Sequence, residues 1–207
     1  MSENEKSIFE RLKEYARSKN FHLDRIEQAY QTAKKFHKGQ KRKSGDPYII
    51  HPLHVALYLT EYGTDEESII AALLHDTVED TSLDLKDVEN NFGTEVSTLV
   101  EGVTKFEKIT RDPRLQEDKL ISLKKFMYSL SDDLRILKIK LADRLHNVNT
   151  LESLRKDKQY RIALETLDIY VPLARLFSMW VFVAGLEDGC FKYLFPEEHK
   201  DFFTLYN

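Results

Sequence analysis

One cysteine, Cys190, stands in a chain of 207 residues. No internal disulfide can form, which excludes a disulfide-stapled scaffold; the residue reads as a small buried hydrophobe. Proline and glycine are sparse, at 5 and 7, and no stretch rich in them marks a linker between domains. No apolar run is long enough to span a bilayer, and the N-terminal MSENEKSIFERLKEY lacks the apolar core of a signal peptide. A basic excess is missing as well: 31 Lys and Arg stand against 35 Asp and Glu, which argues against nucleic acid as a partner. Strand signals are weak, and no GxGxxG, P-loop, CxxC or internal repeat appears. These absences leave a soluble cytoplasmic protein with no membrane partner, of a length suited to one domain.

What is present is helical spacing. The expected fold is all-α, a single domain over residues 1–207 of roughly ten helices. Asp24 is the expected cap of a helix carrying Ile26, Ala29, Ala33 and Phe36, closed by Gly39. Lys-Arg-Lys-Ser-Gly-Asp-Pro within 40–50 reads as a loop, after which Pro52 suits the first turn of a helix running to Gly63. Asp65 can cap the next helix, Asn91-Phe92-Gly93 reads as a break, and Thr94 as a further cap. Residues 105–118 read as a loop or short helix, with a long helix from about Gln116 and another from Asp132 or Asp133 through Val148. Asp157 is expected to cap a helix that Pro172 ends or kinks. The aromatic tail, 178–207, reads as two more helices whose rings serve the core, the alternative being a homo-oligomer surface.

The chemistry concentrates at His75-Asp76, which ends the apolar run Ser68-IIAALL. A carboxylate there needs a partner, because an unpaired one is costly to desolvate. His51 and Asp143 complete a mixed nitrogen and oxygen set that suits a divalent metal with open positions. Adjacent helical residues point about 100° apart, so His75 and Asp76 share one ion most easily where the helix ends or distorts. Glu79 and Asp80 follow one turn later, at i,i+4 from His75 and Asp76, which offers spare carboxylates as bases. Each feature has a plainer reading. A lone His-Asp pair is usually a surface pair, Asp143 can be a salt-bridge partner of Arg144 or Lys140, and KRK is usually a solvated basic loop.

In order along the chain, HKGQKRKSGDPYIIHP (37–52), AALLHDTVEDT (71–81), FGTEVSTLVEGVTK (92–105), IKLADRLHNVNTL (139–151) and ETLDIYVPLA (165–174) resemble the HD phosphohydrolase superfamily. More narrowly, they resemble the hydrolase domain of the RelA/SpoT alarmone enzymes. The resemblance implies hydrolysis of the 3′-pyrophosphate of (p)ppGpp, giving GDP or GTP and pyrophosphate, with one manganese ion. It implies His51, His75, Asp76 and Asp143 as metal ligands, and Glu79 and Asp80 as the pair that activates water. Arg42, Lys43 and Ser44 would hold the guanine nucleotide. Asn147, Thr150 and Leu154 would line its pocket, and Arg161 would meet phosphate. Asn149 departs from the family, where arginine is common, which predicts weaker charge clamping. The chain stops near where a synthetase domain would begin and so resembles a stand-alone alarmone hydrolase. Two other functions are open to the same residues: a related phosphatase acting on NADPH or pppApp, and a silent nucleotide sensor.

Overall fold

The computed structural model describes residues 4–110 and 133–206. They form an all-α fold, and among the described residues the one isolated β-bridge joins Lys41 and Pro47. The chain divides into two compact units, residues 1–143 and 144–207.

The first unit is built around α4, Glu66–Leu74, with α1, Glu5–Ser18, α2, Leu23–Phe36, and α3, Ile50–Thr60. Every residue of α4 but Glu67 is buried, so the helix is enclosed on all sides, and its run Ile69–Leu74 is wholly apolar, as suits a central helix. It packs on α2, α3 and α7, Thr94–Thr110. Between α4 and α7 lie the single turn α5, Thr77–Asp80, and α6, Leu85–Phe92, which ends at Gly93 with φ +94°. Asp65 caps α4 by accepting from the Ser68 amide at 2.7 Å, as expected. Pro52 does sit in the first turn of α3. Asp24 does not cap α2: that position belongs to His22, whose amide donates to Glu66 Oε2 at 2.6 Å. The buried Glu66 also pairs with Arg25, so a tertiary carboxylate replaces the local cap.

Residues 105–110 continue α7 as helix, where a loop or separate short helix was expected, because Phe106 is fully buried and extends the apolar face. The rest of that loop, and the helix expected from Gln116, lie outside the described residues. α8, Leu134–Asn149, begins at Asp133, whose carboxylate accepts from the Arg135 amide at 2.9 Å, and it crosses the division between the units. Near its start it lies so close to α7 that a Cβ on Gly102 would fall 2.3 Å from Ile136 Cδ1.

The second unit holds the rest of α8, α9, Lys156–Glu165, a π segment, Thr166–Tyr170, α10, Val171–Leu176, α11, Trp180–Leu194, and α12, Pro196–Tyr206. Arg155, not Asp157, takes the cap position of α9. Pro172 neither ends nor kinks α9. The wide π turn absorbs the missing amide, and the proline opens α10 in its first turn. Cys190 is buried, and burial pushes its thiol up to about 11. The two tail helices form as expected. Phe182 is core, but Trp180, Val181 and Phe195 are exposed.

Candidate metal centre

The His-Asp doublet falls where the helix breaks. α4 ends at Leu74, His75 and Asp76 form a turn, and α5 starts at Thr77. Both residues keep right-handed helical dihedrals, φ −56° and ψ −40° at His75 and φ −88° and ψ −12° at Asp76, so the chain runs on through a loosened turn. His51 reaches them from the first turn of α3. Its Nε2 lies 3.4 Å from Asp76 Oδ2 and 3.2 Å from Asp143 Oδ1, while His75 Nε2 lies 3.1 Å from Asp76 Oδ1. One ligand atom from each of His51, His75 and Asp76 falls within 4.8 Å of the other two, a spacing that could hold a metal ion. Asp143 joins this trio through His51.

The protonation pattern suits a cation. His75 Nδ1 donates to the carbonyl oxygen of Ala72 at 2.8 Å, so the hydrogen of a neutral ring sits there. The lone pair is then on Nε2, which is buried and faces Asp76 Oδ1 at 3.1 Å. A lone pair facing a carboxylate oxygen calls for a proton or a metal ion between them. The field at this nitrogen favours positive charge. Burial opposes a charged imidazole, yet the Asp76 and Asp143 carboxylates outweigh it and push His75 up to about 9. Burial likewise works against ionised Asp76 and Asp143. His75 and His51 hold Asp76 well below the usual carboxylate range, and Lys140 and His51 do the same for Asp143. A pocket that draws a proton to Nε2 draws a metal ion by the same charges, and the ion would displace that proton.

Two plainer expectations for Asp143 resolve together. It does pair with Lys140, Nζ to Oδ2 at 2.6 Å, but inside the protein and not on a solvated face. Lys140 is buried and also binds Glu107 of α7. Asp143 therefore turns one oxygen to lysine and the other to His51. Glu79 is half-buried and Asp80 exposed, on the single turn that follows the doublet. His54 is not in the metal-spaced trio.

The basic loop is a closed turn beside this centre. The Arg42 amide donates to the Asp46 carbonyl at 2.9 Å, the Tyr48 amide to the Gln40 carbonyl at 3.1 Å, and Gly45 takes φ +94°. Such a backbone suits glycine. Ser44 Oγ donates to Asp46 Oδ2 at 2.7 Å, so its hydroxyl serves the loop. Lys43 is exposed and Arg42 half-buried. Gln40 Nε2 donates to the Asp80 carbonyl at 3.2 Å, tying the loop to α5. Asn147, Thr150, Leu154 and Arg161 belong to the second unit. There Asn147 is half-buried on α8, and Thr150 Oγ1 donates to the His146 carbonyl at 3.0 Å. Leu154 is half-buried and Arg161 exposed on α9. Sequence reasoning passed over Tyr48, whose hydroxyl donates to Asp76 Oδ2 at 2.7 Å. The only signal was its place in the block that holds His51.

The HD domain family model matches residues 29–180. A guanosine-3′,5′-bis(diphosphate) 3′-pyrophosphohydrolase of Aquifex aeolicus is 48% identical over 179 residues, 86% of this chain and 25% of that protein. A GTP pyrophosphokinase of Streptomyces coelicolor is 46% identical over 183 residues, 88% of this chain and 21% of that one. The bifunctional (p)ppGpp synthase/hydrolase SpoT of Escherichia coli is 45% identical over 86% of this chain and 25% of its own length. The chain thus spans about a quarter of the length of these curated relatives. A solved structure, described as a metazoan ortholog of SpoT that hydrolyses ppGpp, superposes with a TM-score of 0.60 at 29% identity, covering 82% of this chain and 93% of that one. With three-quarters of its length matched and the His-Asp doublet at the centre of the buried cluster, the chain belongs to the HD domain family.

Proposed function

We propose that this chain hydrolyses the 3′-pyrophosphate of (p)ppGpp, releasing GDP or GTP and pyrophosphate, with one manganese ion as cofactor. The observation that carries this reading is the buried Nε2 of His75, 3.1 Å from Asp76 Oδ1 and set among His51 and the Asp76 and Asp143 carboxylates. The names of the relatives supply the substrate. When bound, the ion supplies Lewis acidity toward a phosphate oxygen and acidifies water. His51, His75, Asp76 and Asp143 hold it. His51 and His75 do so as neutral rings, with His75 Nδ1 kept protonated by the Ala72 carbonyl. Glu79 or Asp80 accepts the proton that leaves water as its oxygen bonds to phosphorus; the bond from phosphorus to the 3′ oxygen breaks, and a proton returned by that acid or by solvent completes the 3′-hydroxyl. Arg42 and Lys43 meet the nucleotide, arginine through its planar face and lysine as a point charge. The resemblance further assigns Asn147, Thr150, Leu154 and Arg161 to the nucleotide, and residues 1–207 act as one hydrolase domain in the cytoplasm.

The test is turnover. Purified protein stripped with chelator and reloaded with manganese should convert ppGpp to GDP and pyrophosphate, and should lose that activity when the chelator returns. NADPH serves as the competing substrate. A higher kcat/KM on NADPH would move the assignment to another nucleotide, and no manganese-dependent turnover of either would overturn the hydrolase reading.

A further inference from the structure

Tyr48 touches both parts of the centre and is neither a proposed ligand nor a member of the basic loop. Its backbone is fixed on each side. The amide donates to Gln40, closing the loop at 3.1 Å, and the carbonyl accepts from the His51 amide at 2.9 Å, where α3 begins. The ring stacks on His37, centroids 4.5 Å apart and planes within 21°, and meets the His51 ring edge-on at 5.9 Å. The Arg42 guanidinium carbon lies 5.5 Å from the centroid, within range of the attraction between a cation and an aromatic face. The hydroxyl is 2.7 Å from Asp76 Oδ2 and 3.3 Å from Asp80 Oδ2. A phenol has one hydrogen, and the shorter contact receives it. A carboxylate oxygen offers only lone pairs, so in this contact the phenol is the donor.

Asp76 therefore has two unlike oxygens. Oδ2 takes the phenol hydrogen at 2.7 Å and lies 3.4 Å from His51 Nε2, whereas Oδ1 has no phenol contact and lies closer to a ligand nitrogen, 3.1 Å from His75 Nε2. Partners that hydrogen-bond a ligating carboxylate set its orientation and its affinity for the ion. We propose that Tyr48 is a positioning residue that couples the nucleotide loop to the metal centre, its hydroxyl committing Asp76 Oδ1 to the ion and its ring seating Arg42. This rests on the hydrolase reading above. It assigns the two ends of one side chain to two separable quantities: metal affinity to the oxygen, nucleotide binding to the ring.

The experiment titrates the metal-free protein with manganese alone by calorimetry. It then measures steady-state hydrolysis of ppGpp at saturating manganese. Tyr48→Phe removes one oxygen and keeps the ring. It should weaken manganese binding by roughly 10–100-fold and leave KM within about threefold, an effect too small for a lost ring contact. Tyr48→Leu should show the same metal loss and also raise KM by about tenfold, matching Arg42→Ala, which itself should bind manganese like the wild type. Circular dichroism checks that each variant is folded. Wild-type manganese affinity in Tyr48→Phe overturns the inference, and that arm stands even where Tyr48→Leu does not fold. A folded Tyr48→Leu with the KM of Tyr48→Phe overturns it too. A wild-type chain that binds no manganese overturns the hydrolase reading, and the inference with it. A wild type that binds and turns over while Tyr48→Phe titrates identically overturns the inference alone.

Discussion

Asp80 differs from the four proposed ligands in being exposed, while Glu79, like Asp76, is half-buried. A proton acceptor needs such access, whereas a ligand needs burial and fixed geometry. Replacing either acid with its amide keeps shape and removes the base. Glu79→Gln or Asp80→Asn should therefore lower kcat by about 100-fold or more, with ppGpp affinity within about tenfold. Single-turnover rates and equilibrium binding measure the two quantities separately, and wild-type turnover in both variants would remove the catalytic assignment. Lys140 poses the opposite case, a cation closed inside the protein between Glu107 and Asp143. Breaking a buried pair by removing one partner strands charge. Lys140→Met should cost about 3–5 kcal/mol of stability, read from urea unfolding in chelator. Adding Glu107→Gln should recover part of this, since one stranded carboxylate becomes neutral. A loss below about 1 kcal/mol, the scale of an exposed pair, would mean the lysine reaches water.

At the scale of the element, α4 is held at its start by Asp65, which caps it and also meets Arg135 Nη1 at 3.0 Å. Burial works against the charged carboxylate, but the Ser68 amide and hydroxyl and the Arg135 guanidinium outweigh it, and Asp65 is held below its ordinary value. A carboxylate with a depressed folded pKa contributes stability above its unfolded pKa and loses it as pH falls through the folded one. Between pH 6 and pH 3 the urea midpoint of the wild type should fall more than that of Asp65→Asn, which retains an amide cap without the titrating charge. Equal slopes would show that the cap acts without its charge. The end of α4 works differently. It gives way after Leu74 to a loosened turn at His75 and Asp76, so a substitution that tightens this turn into regular helix is expected to shift the ligands before it unfolds the protein.

For the whole molecule, an ion that binds only the folded chain adds stability by mass action, about 2.7 kcal/mol at a hundredfold excess over its Kd. Urea midpoints in manganese should exceed those in chelator by that amount divided by the slope, and His51→Ala should erase the gain. A gain that survives His51→Ala would place the ion elsewhere. Among the described residues, no helix is long and apolar enough to cross a membrane.

Much of this molecule follows from local chemistry that a chain carries in its order of residues. Helical periodicity gives the all-α class. Asp65 caps α4 because its oxygen needs only an amide three residues on, and Gly93 breaks the chain because a positive φ is cheap there. The doublet could be read as a site because His75 and Asp76 close an apolar run, and the matching blocks carried the family. Tertiary structure decided what depends on a distant partner. Glu66, more than forty residues away, takes the capping duty expected of Asp24. The π turn leaves Pro172 to open a helix instead of ending one. The convergence of His51 with His75 and Asp76, the division of Asp143 between Lys140 and His51, and the reach of Tyr48 to Asp76 all join side chains from different elements. Periodicity reports which face of a helix is buried; only packing decides which atoms meet there.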